Sequence, residues 1–153
     1  MSVASAVVEM LKQYQVDVLF SVPDDAVISQ QEALHDTGGK RRQLMNRDER
    51  SAFCIDDVYA RLSHKLGVGE SPSSTGPLYA IPGFSEANAS SLTPILIPSN
   101  IALAGEGKQT IAELRCQKLF ETRTNLFSAS EVVALSPVYS WLHAAPKTGR
   151  PET

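Results

Sequence analysis

Hydrophobic and polar positions alternate along this chain in two rhythms. Val3, Ala6, Val7, Met10, Leu11 and Tyr14 recur at the helical period, which predicts an amphipathic helix over Ser2 to Gln13. Val16 to Val22 is instead β-branched and apolar and stops at Pro23, the pattern of a buried strand. Asp25 to His35 reads as a second helix. It is closed by Asp36-Thr37-Gly38-Gly39, where glycine suits a left-handed cap. Arg41 to Asn46 is a short strand, and Glu49 to Lys65 is the longest helix, ended by Gly67. A strand over Gly67 to Ser71 enters the small-residue turn Pro72-Ser73-Ser74-Thr75-Gly76-Pro77, and Pro82 to Ser90 reads as helix. Thr93 to Pro98 is a continuous apolar run edged by prolines, as expected of a buried parallel strand. A loop over Ser99 to Lys108 precedes a helix over Thr110 to Phe120, a strand over Arg123 to Phe127 and a last helix over Ser128 to Ala145. That helix opens on a capping-box pattern and is interrupted by Pro137.

Strands alternating with helices of this length predict an α/β fold. The expected architecture is a doubly wound, mainly parallel sheet with helices on both faces in a single domain. The domain is expected over residues 1–148, with 149–153 as a tail or linker stub. Ligands of such sheets bind outside the carboxyl ends of the strands. Three segments fall there: Pro23-Asp24-Asp25, Arg47-Asp48-Glu49 and Pro72 to Pro77.

Composition narrows the function classes. A chain 42% hydrophobic and 20% charged reads as an ordinary globule, and a net charge of −3 gives no footprint for nucleic acid or an anionic membrane. No apolar run approaches membrane-spanning length, and no basic segment with an apolar core opens the chain. Cys54 and Cys116 stand far apart with no histidine at metal-ligand spacing, so the expectation is a reduced, cytoplasmic protein without a zinc site. Lys40-Arg41-Arg42 reads as a solvated strand edge, with a phosphate contact as the alternative. Gly105-Glu106-Gly107 is too short for a dinucleotide fingerprint. His35, His64 and His143 are scattered, no nucleophile elbow occurs, and Trp141 reads as helix packing.

The order of the remaining motifs is more specific. Ser21-Val22-Pro23-Asp24-Asp25 ends a strand, and Ala33 to Gly38 ends a helix. Arg47-Asp48-Glu49 then leads into Asp56-Asp57-Val58-Tyr59-Ala60-Arg61. Ile81-Pro82-Gly83-Phe84, Glu86-Ala87-Asn88, Pro94 to Ile97 and Thr148 to Pro151 follow. In this order they resemble the N-terminal pyrimidine-binding domain of thiamine-diphosphate enzymes, in the acetolactate-synthase-like group, over nearly the whole chain.

The resemblance implies roles. Glu49 would hydrogen-bond N1′ of the cofactor's aminopyrimidine, where a shared proton favours the imino tautomer needed to activate the thiazolium. Pro23, Asp24 and Asp25, with Ser73, Ser74, Thr75 and Gly76, would frame the pyrimidine. The implied activity is that of a lyase or transferase: decarboxylation or carboligation of 2-oxo acids. Several positions depart from the family pattern. Asp24 replaces a glycine, Asp56 and Val58 replace small residues on the long helix, and Ala112 stands where many relatives have glutamine. The Asp56 and Val58 changes are expected to push a neighbour away or leave that helix face solvated. The Gly-Asp-Gly pattern with a following asparagine, which holds diphosphate and Mg2+ in the family, does not occur. No metal ligand is therefore assigned in this chain. The diphosphate-binding domain or subunit becomes the expected partner, and tight cofactor binding by this chain alone is not expected. A homo-oligomer, most simply a dimer, is expected to cover apolar surface. The alternative is a degenerate or truncated domain with a structural or regulatory role.

Overall fold

A computed structural model describes residues 2–73, 75–90, 92, 94–101, 105, 107–109, 113, 114, 118 and 120. Helix α1 spans Val3–Gln13 and starts at an N-cap, Ser2, whose hydroxyl accepts from Ser5 N at 3.1 Å. Strand β1 is Val18–Ser21. A 3-10 turn at Asp25–Val27 leads into α2, Ile28–His35. Strand β2 is Arg42–Met45, and α3 runs from Glu49 to Ser63. Then come β3, Val68–Ser71, α4, Thr75–Ala89, and β4, Ile95–Pro98.

The strands form one all-parallel sheet in the order β2-β1-β3-β4. The chain first moves outward from β1 to β2, then crosses back to β3. The order therefore reverses between β1 and β3, the place where an open α/β sheet forms its ligand crevice. The α/β expectation holds, with helices on both faces.

Strand side chains alternate between the faces, and two cores result. Leu19 and Val68 pack with Val8 and Leu11 of α1 and Leu34 of α2, with Ile95 and Ile97 beside them. Val18 and Phe20 point the other way, toward Ala52 and Phe53 of α3 and Ala80 of α4. Burying each large side chain contributes about 1.5–3 kcal/mol, so the two layers rather than helix propensity hold the elements together.

Glycines let α3 come close. A Cβ on Gly69 would lie 2.2 Å from the Phe53 ring, and one on Gly83 would lie 2.7 Å from the Phe53 carbonyl carbon. Side chains at these positions would force α3 away from β3 and α4.

The expected boundaries shift at the end of α3 and at the start of α4. Helix α3 ends not at Gly67 but at His64, whose φ of 55° is left-handed and whose N–H donates to Ala60 O. The turn expected over Pro72 to Pro77 is shorter, because α4 already begins at Thr75, ahead of the expected Pro82. Pro77 sits in the first turn, where its missing N–H costs little, and Pro82 is carried inside the helix. The glycines after α2 do turn left-handed, with φ of 67° at Gly38 and 75° at Gly39. The elements expected beyond Lys108 fall outside the described residues apart from isolated positions. Among these, Phe120 is buried edge-on against Phe84 at 5.8 Å.

Candidate functional site

Parallel strands bring their carboxyl ends to one edge. Backbone bonds knit that edge: Asn46 N donates to Ser21 O at 2.8 Å, and Ser99 N donates to Ser71 O at 3.0 Å. The segments after β1, β2 and β3 thus emerge side by side, with the Pro23 loop on the strand between the other two.

Glu49 is the first residue of α3. Asp48 caps the helix, its carboxylate accepting from Ser51 N at 3.1 Å and Ser51 Oγ at 2.7 Å. Those bonds hold the Asp48 pKa below its ordinary value. The neighbouring Glu49 is half-buried, and among the described residues its carboxyl makes no hydrogen bond or ion pair. Across the edge it meets the start of α4. A Cβ on Gly76 would sit 3.4 Å from Glu49 Oε1 and 3.0 Å from Pro72 Cδ. Glycine at 76 therefore lets the start of α4 approach Pro72 and the carboxyl with no side chain between them. Arg50 lies 5.7 Å from the Tyr79 ring centroid, a second tie between the starts of α3 and α4.

Of the residues singled out in the sequence, the structure brings Glu49 and Gly76 together. Pro23, Asp24 and Asp25 are exposed on the neighbouring strand exit, Ser73 is half-buried and Thr75 exposed. Ser74 lies outside the described residues. Asp24 has an extended backbone, φ −154° and ψ 162°, so an aspartate replaces glycine there without strain.

The helix face expected to be pushed away or solvated at Asp56 is neither. Asp56 is 1% exposed and packs on Gly67, where a Cβ would come within 2.5 Å of Asp56 Oδ1. Burial, with the charge of Asp57 behind it, pushes the Asp56 pKa up to about 8. Asp57 is committed elsewhere: Arg61 Nε donates to it at 2.9 Å, and Arg61 Nη2 reaches Glu86 at 3.2 Å and Ser90 at 2.6 Å, tying α3 to α4. Val58, by contrast, is half exposed, as expected of a solvated face.

Sequence reasoning missed a buried carboxyl on the sheet itself. Glu70 of β3 is fully buried and is joined through Gln43 to Ser21. Its only signal in the sequence was a charged residue inside a short strand between Gly69 and Ser71.

Comparison with known proteins decides the family. Residues 1–121 match the family described as thiamine pyrophosphate enzyme, N-terminal TPP binding domain. The chain belongs to that family. It is 32% identical over 101 residues to the acetolactate synthase large subunit of Haemophilus influenzae, covering 66% of this chain and 18% of that one. It is 23% identical over 146 residues to the acetolactate synthase large subunit of Lactococcus lactis, covering 95% and 25%. A Pseudomonas aeruginosa protein described as a probable 2-ketoarginine decarboxylase is 29% identical over 140 residues, covering 90% and 24%. The chain thus spans a quarter or less of the length of these relatives. As a TPP-binding N-terminal domain of the acetolactate-synthase and decarboxylase-like group, it carries the cofactor-family fold in its doubly wound sheet. Among the described residues, no helix is long and apolar enough to cross a membrane.

Proposed function

We propose that this chain is the pyrimidine-binding domain or subunit of a thiamine-diphosphate-dependent decarboxylase or carboligase acting on 2-oxo acids. One juxtaposition supports the reading: the Glu49 carboxyl at the start of α3, without a hydrogen bond or ion pair among the described residues, beside the side-chain-free Gly76. With no side chain at 76, the residues suit a flat heterocycle packed against the carboxyl. When bound, thiamine diphosphate supplies the electron sink that decarboxylation needs. Glu49 holds the proton shared with the pyrimidine N1′. Pro23, Asp24 and Asp25 on one side, and Ser73, Ser74, Thr75 and Gly76 on the other, orient the ring. Mg2+ and the diphosphate fall to a separate domain or subunit, consistent with a chain that spans 18% to 25% of its relatives. The assembled protein is a cytoplasmic homo-oligomer, at its simplest a dimer.

A second reading is a non-catalytic domain that keeps the fold as a structural or regulatory subunit. The buried, desolvated Asp56 favours it, because a carboxyl stands there in place of the family's small residue and its burial serves nothing at the candidate site.

The test pairs the chain with a polypeptide carrying Gly-Asp-Gly and its asparagine and follows 2-oxo acid turnover. Glu49→Gln in the assembled complex lowers turnover by roughly 10²- to 10⁴-fold, the usual worth of a positioned proton-transfer group. Unchanged turnover refutes the catalytic reading. A complex that forms with the wild-type chain yet holds no cofactor supports the second.

A further inference from the structure

The carboxyl edge of the sheet has a buried polar crosspiece that the proposed function does not use. Ser21 and Glu70 are register partners on β1 and β3, and both side chains lie on the face covered by α1 and α2. Gln43 of β2 reaches both: its Nε2 donates to Ser21 Oγ at 2.7 Å and to Glu70 Oε2 at 3.4 Å. Glu70 and Ser21 are 0% exposed, and Glu70 Oε1 has no hydrogen-bond partner among the described residues. One long amide contact is far too little to hold a bare carboxylate in a sheet, whereas a neutral acid costs far less to bury there.

We infer that Glu70 is a proton-controlled brace: with its proton it joins the ends of β1, β2 and β3 through Gln43 and Ser21, and on losing it the brace opens at β2. Strand β2 is the terminal strand of the described sheet and its side chains are largely exposed, so it is the member that can move away and admit water to the charge. Its exit leads through Asn46 into Asp48 and Glu49, so the opening loosens the candidate site from one side.

The surrounding charges leave the carboxyl unaided. On the same face α1 carries Glu9 and Lys12, which pair with each other, and α2 carries Glu32 and His35. Strand β2 carries Arg42 with Arg41 before it, and Asp24 and Asp25 follow β1. None of these contributes: burial alone moves the Glu70 pKa up, to about 7. Deprotonation therefore falls near neutral pH, with stability lost as pH rises from the ordinary value of 4.5 toward 7 and level beyond.

The inference needs no cofactor and is tested on the full chain alone. Amide hydrogen exchange is followed at Asn46, whose N–H bonds to Ser21 O, across a pH series and corrected for intrinsic rates. In the wild type, protection at Asn46 falls by up to about tenfold per pH unit until near 7 and then levels, the slope of one linked proton. In Glu70→Gln, an uncharged amide of the same shape, that slope disappears at Asn46 while other pH effects on the fold remain. Equal slopes in the two proteins overturn the inference. Should Glu70→Gln fail to fold, a carbon-13 NMR titration of the wild-type Glu70 carboxyl decides. A midpoint near 4.5 overturns the brace, and so does a midpoint near 7 that Asn46 protection ignores. A midpoint near 7 that Asn46 protection tracks supports it.

Discussion

Asp56→Asn is expected to stabilise the chain, and the gain is expected to grow with pH. The carboxyl is 1% exposed, its Oδ1 has no hydrogen-bond partner among the described residues, and Gly67 presses against it. Its pKa moves from an ordinary 3.8 to about 8, chiefly through burial and secondarily through Asp57. The sign follows from proton counting. Between those two values the folded chain binds a proton that the unfolded chain has released, so stability falls as pH rises through that window. At pH 7 the gap of about three units corresponds to roughly 4 kcal/mol, an upper bound because relaxation and water entry reduce it. Asparagine keeps the shape and carries no charge. Urea denaturation across a pH series from about 4.5 to 8.5 measures the difference. The two proteins should be similar at the acid end and diverge by a few kcal/mol at the alkaline end. Parallel curves with a constant offset would refute the reasoning, because they would mean that Asp56 titrates alike in folded and unfolded chains.

Gly83→Ala should cost about 1–3 kcal/mol in the same denaturation assay, because its Cβ would meet the Phe53 backbone at 2.7 Å and neither helix can yield freely. Asp48→Ala should lower the thermal midpoint by removing both Ser51 bonds at the start of α3, and circular dichroism on heating reads it directly. An unchanged midpoint would show that the cap contributes nothing to α3.

Much of the frame was legible because it rests on periodicity. The Val3–Leu11 spacing gave α1, and apolar runs gave β1 and β4, although β4 is half-buried rather than buried as its run implied. Glu49 was legible for a different reason, its place between a strand and a long helix. The start of α4 was not. Ser, Gly and Pro normally mark turns, yet Gly76 and Pro77 lie in the helix's first turn, where a proline keeps its geometry without needing a donor. The end of α3 at His64 was equally hidden, because a left-handed non-glycine residue leaves no compositional mark. Asp56 and Glu70 were invisible as buried groups. A carboxylate in a sequence reads as solvated, and only the tertiary packing of Gly67 against Asp56, or of Glu70 beneath α1 and α2, reveals otherwise.

The glycines that seat α3 bear on how the site would receive a ligand. Slots at Gly69 and Gly83 engage the helix at Phe53, about one turn beyond Glu49, and Gly67 engages it again at Asp56. A helix indexed at successive turns cannot slide along its axis without driving side chains into backbone. The position of Glu49 along the axis of α3 is thereby fixed. An adjustment to a ligand there would fall on the exposed Pro23–Asp25 segment rather than on α3, so that segment is where discrimination between ligands would be tuned.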